Sequence, residues 1–369
     1  MSPRRAEQAQ SVAIAAPDLA ACRASLRTGS LSFAAAARLL PARVRDPAIA
    51  LYAFCRLADD AIDQGGGQAL ALAQLRARLD RAYAGRPFPA PADRALAATL
   101  THFAIPPALP EALLEGLAWD AEGRRYETLA ALTAYAMRVA GSVGMMMALV
   151  MGARTPMALA RAADLGVAMQ FSNIARDIAE DARAGRVYLP QQWLREANID
   201  LARPPELWLA DRDTARALAG VVGRLLAVAE GLYRRADSGI ALLPRLCRPG
   251  IRAARLLYAE IGHEVTRRGA AGLGARAVVS RRRKLWVLCR GLAARPATID
   301  AADPLRAARF LPAARFLIDA VTATTIGPSM PAAPPRPLGE QVVWVAELFA
   351  RLAEREQSRA ASMVRDGVA

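Results

Sequence analysis

The stretch Ala48-Ile-Ala-Leu-Tyr-Ala-Phe-Cys-Arg-Leu-Ala-Asp-Asp-Ala-Ile-Asp63 is apolar nearly all the way round a helix, yet it ends in three aspartates. Ala and Leu favour the helical state. Asp46-Pro47 is expected to open the helix, because a proline in the first turn lacks only an N–H that has no partner there. Gln64-Gly65-Gly66-Gly67 is expected to stop it. Between Ala48 and Ile62 only Arg56, Asp59 and Asp60 are polar or charged, apart from the Tyr52 hydroxyl. A helix of that kind belongs in a core, where carboxylates are costly to place. Asp59 and Asp63 are four residues apart and share a face, with Asp60 beside them. Such a face calls for a cation.

The same pattern recurs in Gln170-Phe-Ser-Asn-Ile-Ala-Arg-Asp-Ile-Ala-Glu-Asp181. Pro156 is expected to open this helix, which runs to about Asp181 before the turn at Ala184-Gly185. Asn173, Asp177 and Asp181 then form a three-rung stripe, with Glu180 alongside. Two acidic helices facing each other would repel unless neutralised. Mg²⁺ fits, because it takes oxygen ligands and commonly joins one or two carboxylates to substrate phosphates. Arg56, Arg176, Arg183 and Arg186 lie within reach as bidentate phosphate contacts. Each cluster alone could be a solvated helix face. Two of them in like apolar context favour a metal–diphosphate site.

Working outward, the chain has 369 residues, 54% hydrophobic and 5% aromatic, with no alternating strand pattern. The expected class is all-α. Apolar Val139–Ala153, interrupted by Gly141, Gly144 and Gly152, falls short of the roughly 20 residues a bilayer span needs. It reads as core, or as a helix whose small residues leave room for a long apolar ligand. Further helices are expected near 69–84, 92–103, 111–121, 128–151, 214–236, 249–268, from 281, and 305–321. The domain reading is a tail over 1–19, a main domain over 20–295, and an extension over 296–369. That extension holds a Pro-rich linker near 327–337 and an amphipathic helix over 338–364.

The net charge is +15, and Lys284 is the sole lysine. The arginines are dispersed and do not alternate with aromatics, which argues against nucleic acid. An anionic membrane or a polyanionic substrate fits better. Cys22, Cys55, Cys247 and Cys289 form no CxxC pair and read as reduced thiols of a cytoplasmic protein. His102 and His263 are the only histidines, which argues against a histidine metal site.

Five ordered blocks resemble the squalene and phytoene synthases. They are Gly29-Ser-Leu-Ser-Phe33 with Leu39-Leu-Pro-Ala-Arg43, the first acidic stretch, Arg138-Val-Ala-Gly-Ser-Val-Gly144, the second acidic stretch, and Gly185-Arg-Val-Tyr-Leu-Pro190. The likeness spans roughly residues 20–295 and is greatest to the bacterial phytoene-forming branch. Phe171-Ser172 and Trp119-Asp120 are mild departures.

The resemblance implies an all-α isoprenoid-synthase fold with a central cavity. It implies head-to-head condensation of two geranylgeranyl diphosphates through prephytoene diphosphate to phytoene, in carotenoid biosynthesis. It implies Mg²⁺, with Mn²⁺ as a substitute, and no NADPH. Carried over by position, Asp59, Asp63, Asn173, Asp177 and Asp181, and less firmly Asp60, would hold metal. Ser32, Tyr52, Arg56, Tyr135, Arg176 and Tyr258 would touch diphosphate. Phe33, Ala140, Val143, Gly144 and Gln170 would line the prenyl chains. Asp59, Asp63, Asp177, Asp181, Arg56, Tyr135 and Arg176 are the catalytic set. The inner face of the cell membrane and other carotenoid-pathway enzymes are the expected partners. A squalene or hydroxysqualene synthase using farnesyl diphosphate is the near rival. A non-catalytic helical protein of the membrane surface is the distant one.

Overall fold

Helices build the chain, as its composition demands. The computed structural model describes residues 12–29, 31–63, 67–293 and 310–324, and no strand occurs among them. The N-terminal half contains α1 (Ala16–Gly29), α2 (Leu31–Ala37), α3 (Ala42–Asp63), α4 (Gln68–Tyr83), α5 (Pro91–His102) and α6 (Ala108–Ala121). Next comes α7 (Leu129–Ala136), which passes through a π-helical turn (Met137–Gly141) into α8 (Ser142–Val150). Then follow α9 (Pro156–Arg176), α10 (Ile178–Arg183), α11 (Gln191–Glu196), α12 (Arg212–Ile240), α13 (Arg248–Gly272), α14 (Arg281–Ala293) and α15 (Arg315–Ala323).

Helix α9 is the axis. It packs on α8, the π-helical turn, α12 and α13. Its start follows from sequence: the Thr155 hydroxyl accepts the Ala158 N–H at 3.2 Å and Pro156 takes the first position. Thr128 and Asp211 cap α7 and α12 in the same way. The small residues of α8 and α9 let the two backbones touch. A Cβ on Gly144 would stand 2.4 Å from the Ala162 carbonyl oxygen, and one on Gly166 would stand 2.3 Å from that of Ala140. The glycines of the apolar segment therefore serve helix packing first.

Near its N-terminal end α9 is tied to α12 by a buried ionic cluster. Asp164 accepts from Arg161 at 2.8 Å and from Arg235 at 3.1 Å. Gly239 makes room, since its Cβ would overlap the Arg161 side chain. The continuous run Leu129–Val150 is long and apolar enough to cross a bilayer, but it is packed largely inside the molecule.

Three boundaries differ from the sequence reading. Helix α3 starts at Ala42, so Pro47 is internal. The first turn holds because Pro41 O accepts from Val44 N and Arg45 N at 2.9 and 2.8 Å. Pro47 forfeits only its own N–H bond. Helix α9 does not reach Asp181. It breaks at Asp177, whose φ/ψ of −101/13 is not helical, and resumes as α10. The Asp177 N–H to Asn173 O and Asp181 N–H to Asp177 O bonds, both 2.9 Å, carry the stripe across this bend. Of the helix expected near 305–321, the described residues from Phe310 on form an extended entry and a 3₁₀ turn at Pro312–Ala314 before the α-helix begins at Arg315. Pro312 holds Leu311 extended, at φ/ψ −62/134. Residues 305–309, the linker near 327–337 and the amphipathic segment 338–364 lie outside the described residues.

Candidate active site

The last turns of α3 present Asp59 and Asp60. Their side chains are half exposed, and Arg56 one turn earlier reaches both, with Nε donating to Asp60 Oδ2 at 3.1 Å and Nη1 lying 3.6 Å from Asp59 Oδ2. The two aspartates diverge. Asp60, with Ala53, Arg56, Leu57 and Ala61, faces a groove of about 490 Å³ against α1 and α4. Asp59 is on the other side, where its charge acts on Asp120 of α6. Asp63 ends α3, and its side chain lies outside the described residues.

The bend between α9 and α10 presents the second cluster. Arg176 Nε donates to Asp177 Oδ1 at 2.7 Å. Arg276, from the loop between α13 and α14, approaches the same Asp177 oxygen at 3.3 Å and Glu180 at 3.5 Å. Asn173 Oδ1 is buried with no hydrogen-bond partner. Burial pushes the Asp181 carboxyl up to about 7, and the negative charge of Asp177, then of Asp120 and Glu180, adds to the rise against the relief from Arg186.

Asp120 joins the two clusters. It feels Asp59 on one side and acts on Asp181 on the other. Its oxygens accept the Tyr135 and Tyr188 hydroxyls, each at 2.8 Å, and burial pushes it up to about 6. Tyr135 stacks on Tyr188 with centroids 5.2 Å apart. Tyr135 is 3% exposed, so its hydroxyl is committed to Asp120.

Between α2 and α3, Tyr52 stacks on Phe33 at 5.3 Å. Gly29 leaves the space its hydroxyl fills, since a Cβ there would stand 2.2 Å from the Tyr52 oxygen. Tyr258 lies electrostatically between Tyr52 and Arg176, so α3, α9 and α13 converge. Ala140, Val143, Gly144, Gln170 and Asn173 are partly buried, as are Ala162, Leu165 and Met169 on the same helices. The Ala140–Gly166 contact brings the backbones of the π-helical turn and α9 together beside these positions. Ser32 sits in α2, and its side chain is outside the described residues.

Asp120, Tyr188 and Arg276 were absent from the sequence-derived set. Asp120 closes an apolar helix much as Asp59 does, which was a usable signal. Arg276 lies about a hundred residues from Asp177 in the chain, and nothing local marks it.

Among the described residues no three acidic, His or Cys side chains converge closely enough to enclose an ion by themselves. The donor set still suits a hard divalent cation. It is all oxygen, it includes the orphaned Asn173 Oδ1, and its negative charges crowd one another. Mg²⁺ ordinarily keeps waters and completes its shell with substrate phosphates.

The family model described as squalene/phytoene synthase matches residues 26–283. A phytoene synthase of Rhodobacter capsulatus is 53% identical over 288 residues, covering 77% of this chain and 84% of the relative. One of Cereibacter sphaeroides is 50% identical over 302 residues, covering 79% and 83%. Among solved structures, a dehydrosqualene synthase with bound ligand aligns at TM-score 0.68 and 31% identity, over 74% of this chain and 95% of that one. The squalene synthase HpnC of Alicyclobacillus acidocaldarius aligns at TM-score 0.61 and 26% identity, over 69% and 94%.

Proposed function

We propose, for a chain that belongs to the squalene/phytoene synthase family, the reaction of the phytoene-forming branch. The enzyme is a prenyltransferase of carotenoid biosynthesis. It joins two geranylgeranyl diphosphates head to head, releasing two diphosphates and two protons. The C1–O bond of one substrate breaks, and the double bond of the other captures the allylic cation. Proton loss closes the cyclopropane of prephytoene diphosphate. A second ionisation, rearrangement and proton loss yield phytoene.

The observation that carries this reading is Asp120 linking the Asp59 side of the site to Asp181. Acidic groups from three parts of the chain then act on one another's charge, Asp59 on Asp120 and Asp120 on Asp181. Asp59, Asp63, Asn173, Asp177 and Asp181 would hold Mg²⁺, which when bound supplies Lewis acidity to the departing diphosphate. Asp60 is the weaker member, because it faces the groove behind α3. Arg56, Arg176 and Arg276 orient diphosphate oxygens by charge-assisted hydrogen bonds. Tyr52 and Tyr258 would border the same diphosphate, and Ser32 is a third contact implied by the family motif alone. Tyr135 acts through Asp120, holding that carboxylate in place.

Phe33, Ala140, Val143, Gly144 and Gln170 border the prenyl chains. The apolar wall shields the carbocations from water. The catalytic unit is residues 20–295.

Incubation of the purified protein with Mg²⁺ and either geranylgeranyl or farnesyl diphosphate, followed by identification of the hydrocarbon, tests the assignment. A C40 product is expected. A C30 product with none at C40 would replace it with the squalene-type reaction.

A further inference from the structure

Helix α14 carries a surface that the reaction does not use. From Arg276 to Ala293 the chain has six cations, Arg276, Arg281, Arg282, Arg283, Lys284 and Arg290, and no Asp or Glu. Arg276 and Arg283 have acidic neighbours in the fold: Asp177 and Glu180 for the first, Glu260 for the second. The buried face of α14 holds Val287 and Leu288. Its outward stripe, at helical spacing, is Arg282, Trp286 and Cys289, all exposed. Trp286 is 46% exposed and the preceding Val278 is 64% exposed. The Arg283 guanidinium lies over the Trp286 ring, 4.4 Å from its centroid. A basic helix with an outward Trp is the composition that settles at a lipid headgroup boundary, the ring at the interface and the arginines among anionic groups.

We propose that the outward face of α14, with Val278 before it, docks the protein on an anionic bilayer. Charge complementarity selects this occupant. A second copy on the same face would set like charges against each other. The location adds a reason. Val278 is two residues from Arg276, whose guanidinium reaches Asp177 and Glu180. Arg268 anchors the loop by donating to the Val278 carbonyl at 3.1 Å. The docking face therefore adjoins the second acidic cluster. An amphiphile with a diphosphate head, the substrate class proposed above, would arrive from the headgroup layer on that side.

The test uses the full chain and sedimentation with vesicles, without substrate. One vesicle set is neutral phosphatidylcholine, and the other contains about a third phosphatidylglycerol. The wild type is expected to sediment with the anionic vesicles only, and to be released by salt. Arg282→Glu changes the local charge by two, and should weaken binding roughly tenfold or more, at about 1 kcal/mol per charge. Trp286→Ser should weaken binding and abolish the blue shift of tryptophan emission. Both variants should keep the wild-type circular dichroism and their turnover of detergent-dispersed substrate.

Equal binding to both vesicle sets, or no binding to either, overturns the proposal. So does anionic binding that neither variant weakens, which would move the contact to another surface. A change in molar mass by light scattering in either variant would assign the face to a second copy instead. Turnover is measured separately, so failure of the reaction assignment would not alter the vesicle result.

Discussion

Helix α9 has an ionic cluster near each end, buried at the N-terminal end and partly exposed at the C-terminal one, and the two are built oppositely. At the N-terminal end Asp164 lies between Arg161 and Arg235, both of which stabilise its charge. At the C-terminal end Asp181 lies among Asp177, Asp120 and Glu180, which all oppose its charge, while Arg186 relieves it. Burial pushes both carboxyls up, Asp164 to about 6 and Asp181 to about 7. The next contribution differs in sign: Arg235 lowers Asp164, whereas Asp177 raises Asp181 further. A cluster that supplies its own counter-charge fastens helices together. One that leaves negative charge in excess is prepared for an external cation.

The largest expected effect separates the two ends. Asp164→Asn leaves two guanidiniums buried without their carboxylate and should cost about 3–5 kcal/mol, the usual penalty for breaking a buried pair from one side. Denaturant unfolding measures it, and a loss under 1 kcal/mol would break the comparison. Asp181→Asn should behave in the opposite sense. It removes a repelled charge, so the melting temperature should hold or rise, while turnover falls by roughly a hundredfold or more, as when one transition-state electrostatic contact is removed. Mg²⁺ should raise the melting temperature of the wild type and not that of this variant. A destabilised Asp181→Asn protein would place its carboxylate in the same structural class as Asp164.

Gly166→Ala probes the packing between the two ends. The new methyl would meet the Ala140 carbonyl at 2.3 Å, and the backbones must separate. The expected cost is about 1–3 kcal/mol, typical of overpacking. Thermal melts should show it, and turnover should fall with it as α9 shifts against the π-helical turn.

The smallest effect concerns a third ionic group, on α13. His263 is raised above its ordinary value, first by Glu230 and then by Glu260. The folded state thus holds that proton more tightly than the unfolded chain does. This contribution is fully present below about pH 6.5, the unfolded value, and is lost as pH rises through the folded one. Melts between pH 6 and 8.5 should show a shallow decline that His263→Gln flattens. An unchanged slope would remove His263 from the account.

Much of the candidate site was legible because its residues lie on helices with regular spacing. Asp59 could be read from α3, and Asn173 and Asp177 from α9, since apolar neighbours made their charges anomalous. The fold class followed from the same apolar helices, and the family blocks were contiguous strings. The bend at Asp177 was not legible. Nothing in Ile-Ala-Arg-Asp-Ile-Ala-Glu distinguishes a continuous helix from one that pauses where Arg176 and Arg276 hold a carboxylate. The length of α3 was misread because proline was given a first-turn role. At Pro47 it sits inside the helix, and Pro41 O accepts the first-turn N–H groups.

The sequence by itself determined that this chain is helical, that it sets carboxylates at the ends of two apolar stretches, and that it carries the family's ordered motifs. Those properties are local, set by side-chain periodicity and composition. Only the tertiary structure decided that Asp120 stands between the clusters, that Asp60 turns to a different groove from Asp59, and that the glycines of α8 and α9 are filled by each other's backbone. Those are distances between helices far apart in the chain. They depend on how volumes and charges pack in three dimensions, which one-dimensional spacing does not specify.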